Sequence, residues 1–289
     1  MKQQIVRSKD GQIVNAMSVD VEEYFQVSAF EKHINRSDWD RLPGRAEASV
    51  DKILTLFSDQ EIKATFFTLG WMAERYPQMV KRIVDEGHEL ASHGWSHVRV
   101  TQQKPEDFKN DIIRTRSLLE DISGQQIKGY RAASYSIGAK NLWALDILEE
   151  TGHIYSSSIF PIKHDLYGMP EAPRFAFKAG SGGLLEVPIT TVEMMGRKIP
   201  CGGGGWFRFF PYAFSRWAMS HVNNVEGQPA IFYFHPWEID FDQPRQQELG
   251  FKTRFRHYLN LHQMEQRLTQ LLKDFSWGRM DDIFLGTQE

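Results

Sequence analysis

The feature that most limits what this chain can fold into is its alternation of short strand-like stretches with amphipathic helical ones. Ile13 to Asp20 has the pattern of a strand, and Ala46 to Phe57 follows as a helix with Val50, Ile53, Leu54 and Phe57 on one face. Ala64 to Thr68 is a short apolar strand. Pro77 opens a helix that carries Met79, Val80, Ile83 and Val84 and stops at Gly87. His88 to Ser92 is the next strand, and Pro105 begins a helix faced by Phe108, Ile112, Thr115 and Leu119. Tyr130 to Ala133 looks extended, Asn141 to Glu150 helical, Leu184 to Thr190 strand-like and Phe207 to His221 helical. Ala230 to His235 is a buried-type strand, and His257 to Phe275 has the period of one long helix. Strands that alternate with helices imply βαβ units and a parallel sheet. A doubly wound sheet and a barrel both satisfy that pattern.

The 289 residues, 41% of them hydrophobic, suffice for one large core, so residues 1–289 are expected to form a single domain. About 240–289 would be a C-terminal helical extension packed on it. Two stretches lack periodicity: 160–183, rich in Pro and Gly, and Cys201 to Gly205. Gly202 to Gly205 are not a phosphate loop, because no Lys-Ser/Thr follows; they suit the wall of a cleft.

Charge and targeting signals narrow the function classes. A net charge of −3 gives no electrostatic reason to expect nucleic acid or an anionic membrane surface as partner. No run is long and apolar enough to span a bilayer. The N-terminus begins with Met1 and shows no apolar signal region, and the lone Cys201 cannot form an internal disulfide, so the expected setting is cytoplasmic. Oligomeric state is not legible.

Four polar clusters stand at the C-terminal ends of expected strands, where α/β folds build their sites. In Asp20-Val21-Glu22-Glu23, strand alternation points Asp20 and Glu22 one way and Glu23 the other. Such a pair is either a solvated strand end or a site for something positive, such as a metal. In Ser92-His93-Gly94-Trp95-Ser96-His97, two His four apart can share one face of a helical turn, a common ligand spacing. Two His and one carboxylate would leave coordination positions open, as a catalytic metal requires. In Gly129 to Tyr135, Arg131 could pair with a carboxylate, at the site or on the surface. In Phe234-His235-Pro236-Trp237-Glu238, His235 closes an apolar strand, either as a core histidine or at the strand mouth. Trp95, Trp206 and Trp237 lie beside polar groups and are candidate platforms for sugar rings, with core packing as the alternative.

Taken in order, Asp-x-Glu, Ser-His-x₃-His, Arg-x-x-Ser-Tyr-Ser, Glu186-Val187-Pro188 and Phe-His-Pro-Trp-Glu resemble the polysaccharide deacetylase family (NodB-homology, carbohydrate esterase family 4). The start Asp20 to Val27 and the segment Phe255-Arg256-His257-Tyr258 with Asn260 resemble more narrowly the branch found in exopolysaccharide loci with exosortase systems. The resemblance runs from about residue 15 to 275. It implies a distorted (β/α) barrel and an enzyme that removes acetyl groups from an acetylated glycan. It implies Asp20 as catalytic base, Glu22, His93 and His97 as ligands of a divalent metal, with zinc the expected ion, Arg131 as the residue that orients the base, and His235 as general acid. Tyr135 would join the substrate site.

Three positions depart from the family pattern. Glu22 stands where Asp is commoner, Ala133 where Pro is usual, and Ser156 where relatives often carry Asp. Two other functions fit the same pattern: an amidase for small molecules, and a sugar-binding protein that keeps the shape of the site without catalysis.

Overall fold

The computed structural model describes residues 5–165, 167–246 and 249–286. Its strands in chain order are β1 (Val14–Val21), β2 (Thr65–Thr68), β3 (Glu89–Ser92), β4 (Gly129–Tyr130), β5 (Tyr155–Ser156), β6 (Phe177–Ala179), β7 (Leu184–Glu186), β8 (Thr191–Met194), β9 (Arg197–Pro200), β10 (Ile231–Phe234) and β11 (Ser276–Gly278). The main helices are α1 (Ala46–Asp59), α2 (Gly70–Arg75), α3 (Pro77–Asp85), α4 (Pro105–Ser123), α5 (Trp143–Glu150), α6 (Gly204–Phe209), α7 (Tyr212–Asn224), α8 (Phe251–Tyr258), α9 (Leu261–Asp274) and α10 (Met280–Phe284).

The sheet runs β10-β1-β2-β3-β4-β5-β7-β6, parallel except for the last pair. β1 lies inside it and is buried along nearly its whole length, so it carries few of the solvent-facing residues of a half-exposed strand. Alternation then sorts its side chains. Met17, Val19 and Val21 pack outward with Val50, Ile53 and Phe57 of α1 and Leu268 and Leu271 of α9. Ala16 packs inward with Phe67, Ala91, Tyr155 and Tyr233. Asp20 and Glu22 continue this inward set.

The sheet curls without closing through strands. On the free side of β10, Tyr233 N–H donates to Gly202 O at 2.8 Å, Gly203 bridges Tyr233, and Ile231 N–H donates to Thr190 Oγ1 at 2.6 Å. The glycine-rich loop thus takes the place of a closing strand. Gly203 has φ 118°, and a Cβ there would lie 1.9 Å from Tyr233 O, so the close approach requires glycine. This incompletely closed barrel is the distorted (β/α) fold that the family resemblance implies.

Register sets the rim. Val19 pairs Phe234, Val21 pairs Thr68, Thr68 pairs Ser92, Ser92 pairs Tyr130, and Tyr130 pairs Ser156. The strands end level, so the residues just beyond them, Glu22, His93, Arg131 and His235, emerge on one side. At the opposite end the C-terminal segment forms a floor: β11 pairs with the start of β1, Met280 N–H donates to Thr65 Oγ1 at 2.8 Å, and Asp281 N–H to Glu89 Oε2 at 3.1 Å.

Several elements differ from the sequence expectation. The helix expected over Phe207 to His221 is two helices, α6 and α7, because Pro211 has no N–H to continue the first. The helix expected over His257 to Phe275 is also two, α8 and α9, parted where Asn260 turns to φ 52°. The extended stretch Tyr130 to Ala133 ends at Tyr130 and gives way to a tight turn with Ser134 at φ 52° and Tyr135 at φ 51°. The strand from Leu184 stops at Glu186, just before Val187-Pro188, and the chain then forms the β8–β9 hairpin. No helix among the described residues is long and apolar enough to cross a membrane.

Candidate active site

Asp20 is held from below. Arg131 is fully buried; its Nη1 donates to Asp20 Oδ1 at 2.6 Å and to Ser18 Oγ at 2.8 Å. The rest of the guanidinium is occupied by Ser157, whose carbonyl accepts from Nε at 3.2 Å and whose hydroxyl accepts from Nη2 at 3.1 Å. The ring of Phe67 lies 4.0 Å beneath it. With all these partners Arg131 is a fixed fork, and Asp20 is the carboxylate it fixes. The other oxygen, Oδ2, accepts from Tyr135 OH at 3.3 Å and faces His235 Nε2 at 3.9 Å.

Glu22, His93 and His97 converge beside it: one ligand atom from each falls within 4.8 Å of the others. His93 Nδ1 lies 2.8 Å from the carbonyl of Arg131. A carbonyl only accepts, so Nδ1 carries the proton and Nε2 keeps its lone pair. Burial lowers the His93 pKa to about 4, which keeps the ring neutral and able to ligate. Glu22 Oε2 has no hydrogen-bond partner among the described residues and makes only a charge contact with His97 Nε2 at 3.0 Å. Burial pushes the Glu22 pKa up, but His97 and His235 outweigh it and bring it down to about 2. A buried, ionised oxygen with no donor and two imidazoles of suitable placing fit a divalent cation that prefers nitrogen and oxygen, as zinc does. The two histidines reach the site from a loop, not from a helical turn, and His97 does so at φ 53°.

Glu23 does not compete for this position. It faces the other way, as strand alternation requires, and accepts from Arg45 N–H at 2.9 Å and Ala46 N–H at 3.0 Å at the start of α1. Ser156, where Asp is common, donates to Ser158 Oγ at 2.8 Å, and Ser158 Oγ accepts from Ala132 N–H at 2.9 Å. These serines brace the segment that carries Arg131.

His235 approaches from the opposite wall. Its Nδ1 donates to Glu238 Oε2 at 2.9 Å, which turns Nε2 toward Glu22 Oε1 at 3.7 Å. Burial lowers the His235 pKa, but Glu22 and Glu238 outweigh it and raise it to about 9. Glu238 is itself buried against Arg208, whose Nε donates to Oε1 at 2.7 Å. Nη1 of Arg208 reaches the carbonyls of His257 and Leu259, both at 2.8 Å, and so ties the α8–α9 junction to the histidine. The Arg208–Glu238 pair was not anticipated. Its one visible signal is Glu238 three residues after His235 with Pro236 between, a capping-box spacing.

The three tryptophans lie apart, and only Trp237 lines the cleft. Trp237 is sandwiched, with His235 stacked at 5.0 Å and His257 at 4.3 Å, and its indole N–H donates to Glu22 Oε1 at 3.1 Å. Trp95 packs against Gly70 and under the Arg114 guanidinium, which lies 3.2 Å from its ring. Trp206 stands outside the cleft, against Phe210 and His164. The cleft, about 200 Å³, brings together Asp20, Glu22, His93, His97, Tyr135, His235 and Trp237, and adds Tyr167, Tyr233 and His257, which sequence reasoning missed. Ser28 and Ser134, hydrogen-bonded to each other at 2.7 Å, also line it.

Residues 37–155 match the family model for Polysaccharide deacetylase, and residues 157–285 match the Domain of unknown function DUF3473. A peptidoglycan-N-acetylglucosamine deacetylase of Bacillus cereus is 39% identical over 80 residues, 28% of this chain and 29% of that protein. One from Listeria monocytogenes is 33% identical over 81 residues, 28% of this chain and 17% of that protein. The match thus spans less than a third of either relative's length. The crystal structure of a protein described as a candidate polysaccharide deacetylase from Mycobacterium smegmatis shares the fold, with a TM-score of 0.61 at 17% identity over 99% of this chain and 93% of that one. His93, His97 and Arg131 fall in the first matched segment and His235, Glu238 and His257 in the second, so both segments line one cleft. Residues 37–155 thus resemble the polysaccharide deacetylase family (NodB-homology, carbohydrate esterase family 4), and the chain as a whole shares the fold of that solved structure.

Proposed function

We propose that this protein is a metal-dependent hydrolase that removes acetyl groups, N-acetyl in particular, from a polysaccharide or its precursor. The observation that carries this reading is the placing of His235 Nε2, 3.9 Å from Asp20 Oδ2 and 3.7 Å from Glu22 Oε1. A base and an acid thereby flank a three-residue cation site within one cleft.

Glu22, His93 and His97 would hold the cation, and zinc is the ion their chemistry suits best. When bound, such an ion polarises a carbonyl and lowers the pKa of water to about 7. The remaining work belongs to the protein. Asp20, oriented through Oδ1 by Arg131, presents Oδ2 to take a proton from the attacking water. The water oxygen adds to the acetyl carbon as the carbon–nitrogen bond breaks, and His235 gives its proton to the departing nitrogen. Acetate and a free amine result. Glu238 and Arg208 keep the imidazole turned toward the cleft through both transfers.

The segments Asp20 to Val27 and Phe255 to Tyr258 support a setting in exopolysaccharide synthesis through their resemblance to that branch. Acetate release from a panel of acetylated glycans by zinc-supplied protein tests the activity. Release from at least one glycan, lost on His235→Asn, is the expected result; no release from any of them would refute it.

A further inference from the structure

A run of aromatic rings leaves the cleft and continues over the outside of two helices. Tyr167 lines the cleft, 6.1 Å from the ring of Tyr135. His164 stacks on Tyr167 at 4.0 Å, and Trp206 of α6 meets His164 at 6.3 Å. Beyond Trp206 come Phe210 at 6.1 Å, Phe214 at 4.6 Å, Trp217 at 5.7 Å and His221 at 5.7 Å. Phe214, Trp217 and His221, three and four residues apart, lie along one side of α7.

An aromatic helical stripe ordinarily faces the interior. Here α7 buries Ser215, Ala218, Met219, Val222 and Asn223; Phe214 packs partly on Val192, Cys201 and Ala218, and Trp217 carries the stripe out onto the adjoining exposed side. Trp217 is 45% exposed and Phe209, which packs on Phe210, is 52% exposed. The stripe is also nearly uncharged. The one arginine of α7, Arg216, is paired with Asp274 at 3.2 Å, and the helix has no Lys, Asp or Glu.

We propose that this run is a track for a polymeric glycan, holding the sugars that extend beyond the acetylated unit in the cleft; the proposal rests on the deacetylase reading above. Pyranose rings offer flat, uncharged C–H faces, and aromatic rings are the side chains that match them. Continuity with the cleft favours a ligand that occupies both places at once. The lack of unpaired positive charge on α7 favours a neutral chain over an anionic lipid surface.

The test compares short and long acetylated chitooligosaccharides, together with glycan strands of peptidoglycan. Affinity is measured with full-length, zinc-supplied Asp20→Asn protein, so that binding is read apart from turnover. Affinity is expected to rise with chain length. Trp217→Ala and Phe209→Ala, both at exposed positions, should each lower affinity for the long chain by about two- to tenfold, the range for one aromatic contact, and bring the long-to-short ratio toward one. Phe251→Ala, exposed on α8 and off the track, should leave the ratio unchanged. No gain of affinity with length, or a gain untouched by both α6–α7 substitutions, would overturn the track. So would sedimentation with phosphatidylserine vesicles that depends on Trp217 in the absence of a length effect. Failure of the deacetylase reading shows separately, as no acetate released by the wild type from any glycan.

Discussion

The indole N–H of Trp237 donates to Glu22 Oε1 over 3.1 Å, and this single bond leaves Oε2 of the same carboxylate without a hydrogen bond and facing His97. Trp237 therefore touches the carboxylate of the candidate cation site directly. Trp237→Phe should preserve the stack between His235 and His257 while removing the donor. Loss of such an outer partner weakens metal binding by about 10–100-fold. Titration with a competing zinc chelator checks it, and unchanged affinity would show that the indole does not orient the carboxylate.

Glu238 should separate orientation from binding. Glu238→Gln removes the charge that faces His235 Nδ1 while keeping a hydrogen-bonding side chain, so kcat should fall by at least about tenfold with KM little altered. Arg208→Ala is a different lesion. It leaves Glu238, fully buried, with only the His235 imidazole as partner, and breaking a buried pair costs about 3–5 kcal/mol. Urea denaturation measures this, and a loss below about 1 kcal/mol would fit a solvated pair instead.

Glu89 makes stability depend on pH. It is buried in the barrel floor, where it accepts from Thr65 Oγ1, Tyr155 OH and Asp281 N–H, with the Asp281 carboxylate close by and that carboxylate paired to Lys128 and Arg279. Burial first, and then the Asp281 charge, raise its pKa from 4.5 to about 7. Between those values the folded protein holds a proton that the unfolded chain releases. Stability should therefore be greatest below the unfolded value and fall as pH rises toward about 7, with a slope of at most about 1.4 kcal/mol per pH unit. Glu89→Gln should flatten that part of the profile, read from denaturation midpoints across the range. An equally steep profile would place the proton elsewhere.

Much of the fold was legible because periodicity reports burial directly. Val50, Ile53, Leu54 and Phe57, and likewise Phe108, Ile112, Thr115 and Leu119, are buried as their spacing indicates. The helix breaks were less so. Pro211 carries its own signal, but the left-handed Asn260 is fixed in part by its side chain's bond to the Arg208 carbonyl, a contact 52 residues apart in sequence. The same divide runs through the site. Asp20 and Glu22 follow from strand alternation, and His93 with His97 from spacing. Tyr167 and His257 come from a loop and a helix with no local pattern and meet only in the cleft, and Arg208 acts on it through Glu238. Trp237 was legible as a neighbour of His235, but which way its ring faced depended on His257, twenty residues on.

Closure of the barrel by a loop gives a further test. Gly203→Ala would force a Cβ against Tyr233 O at a backbone conformation that side chains rarely adopt. Strain of this kind costs about 1–3 kcal/mol before any repacking. Thermal unfolding should show the loss; an unshifted midpoint would mean that the 201–203 loop is not part of the closure.

In the proposed mechanism Asp20 acts as a base beside, and separately from, a cation held by Glu22, His93 and His97. The most direct measurement strips the protein of metal, restores zinc, and follows both zinc content and acetate release from an acetylated chitooligosaccharide for the wild type and Asp20→Asn. Both proteins should bind zinc, only the wild type should release acetate, and the stripped wild type should release none. Full turnover by Asp20→Asn, or a wild type that takes up no zinc, would contradict this mechanism.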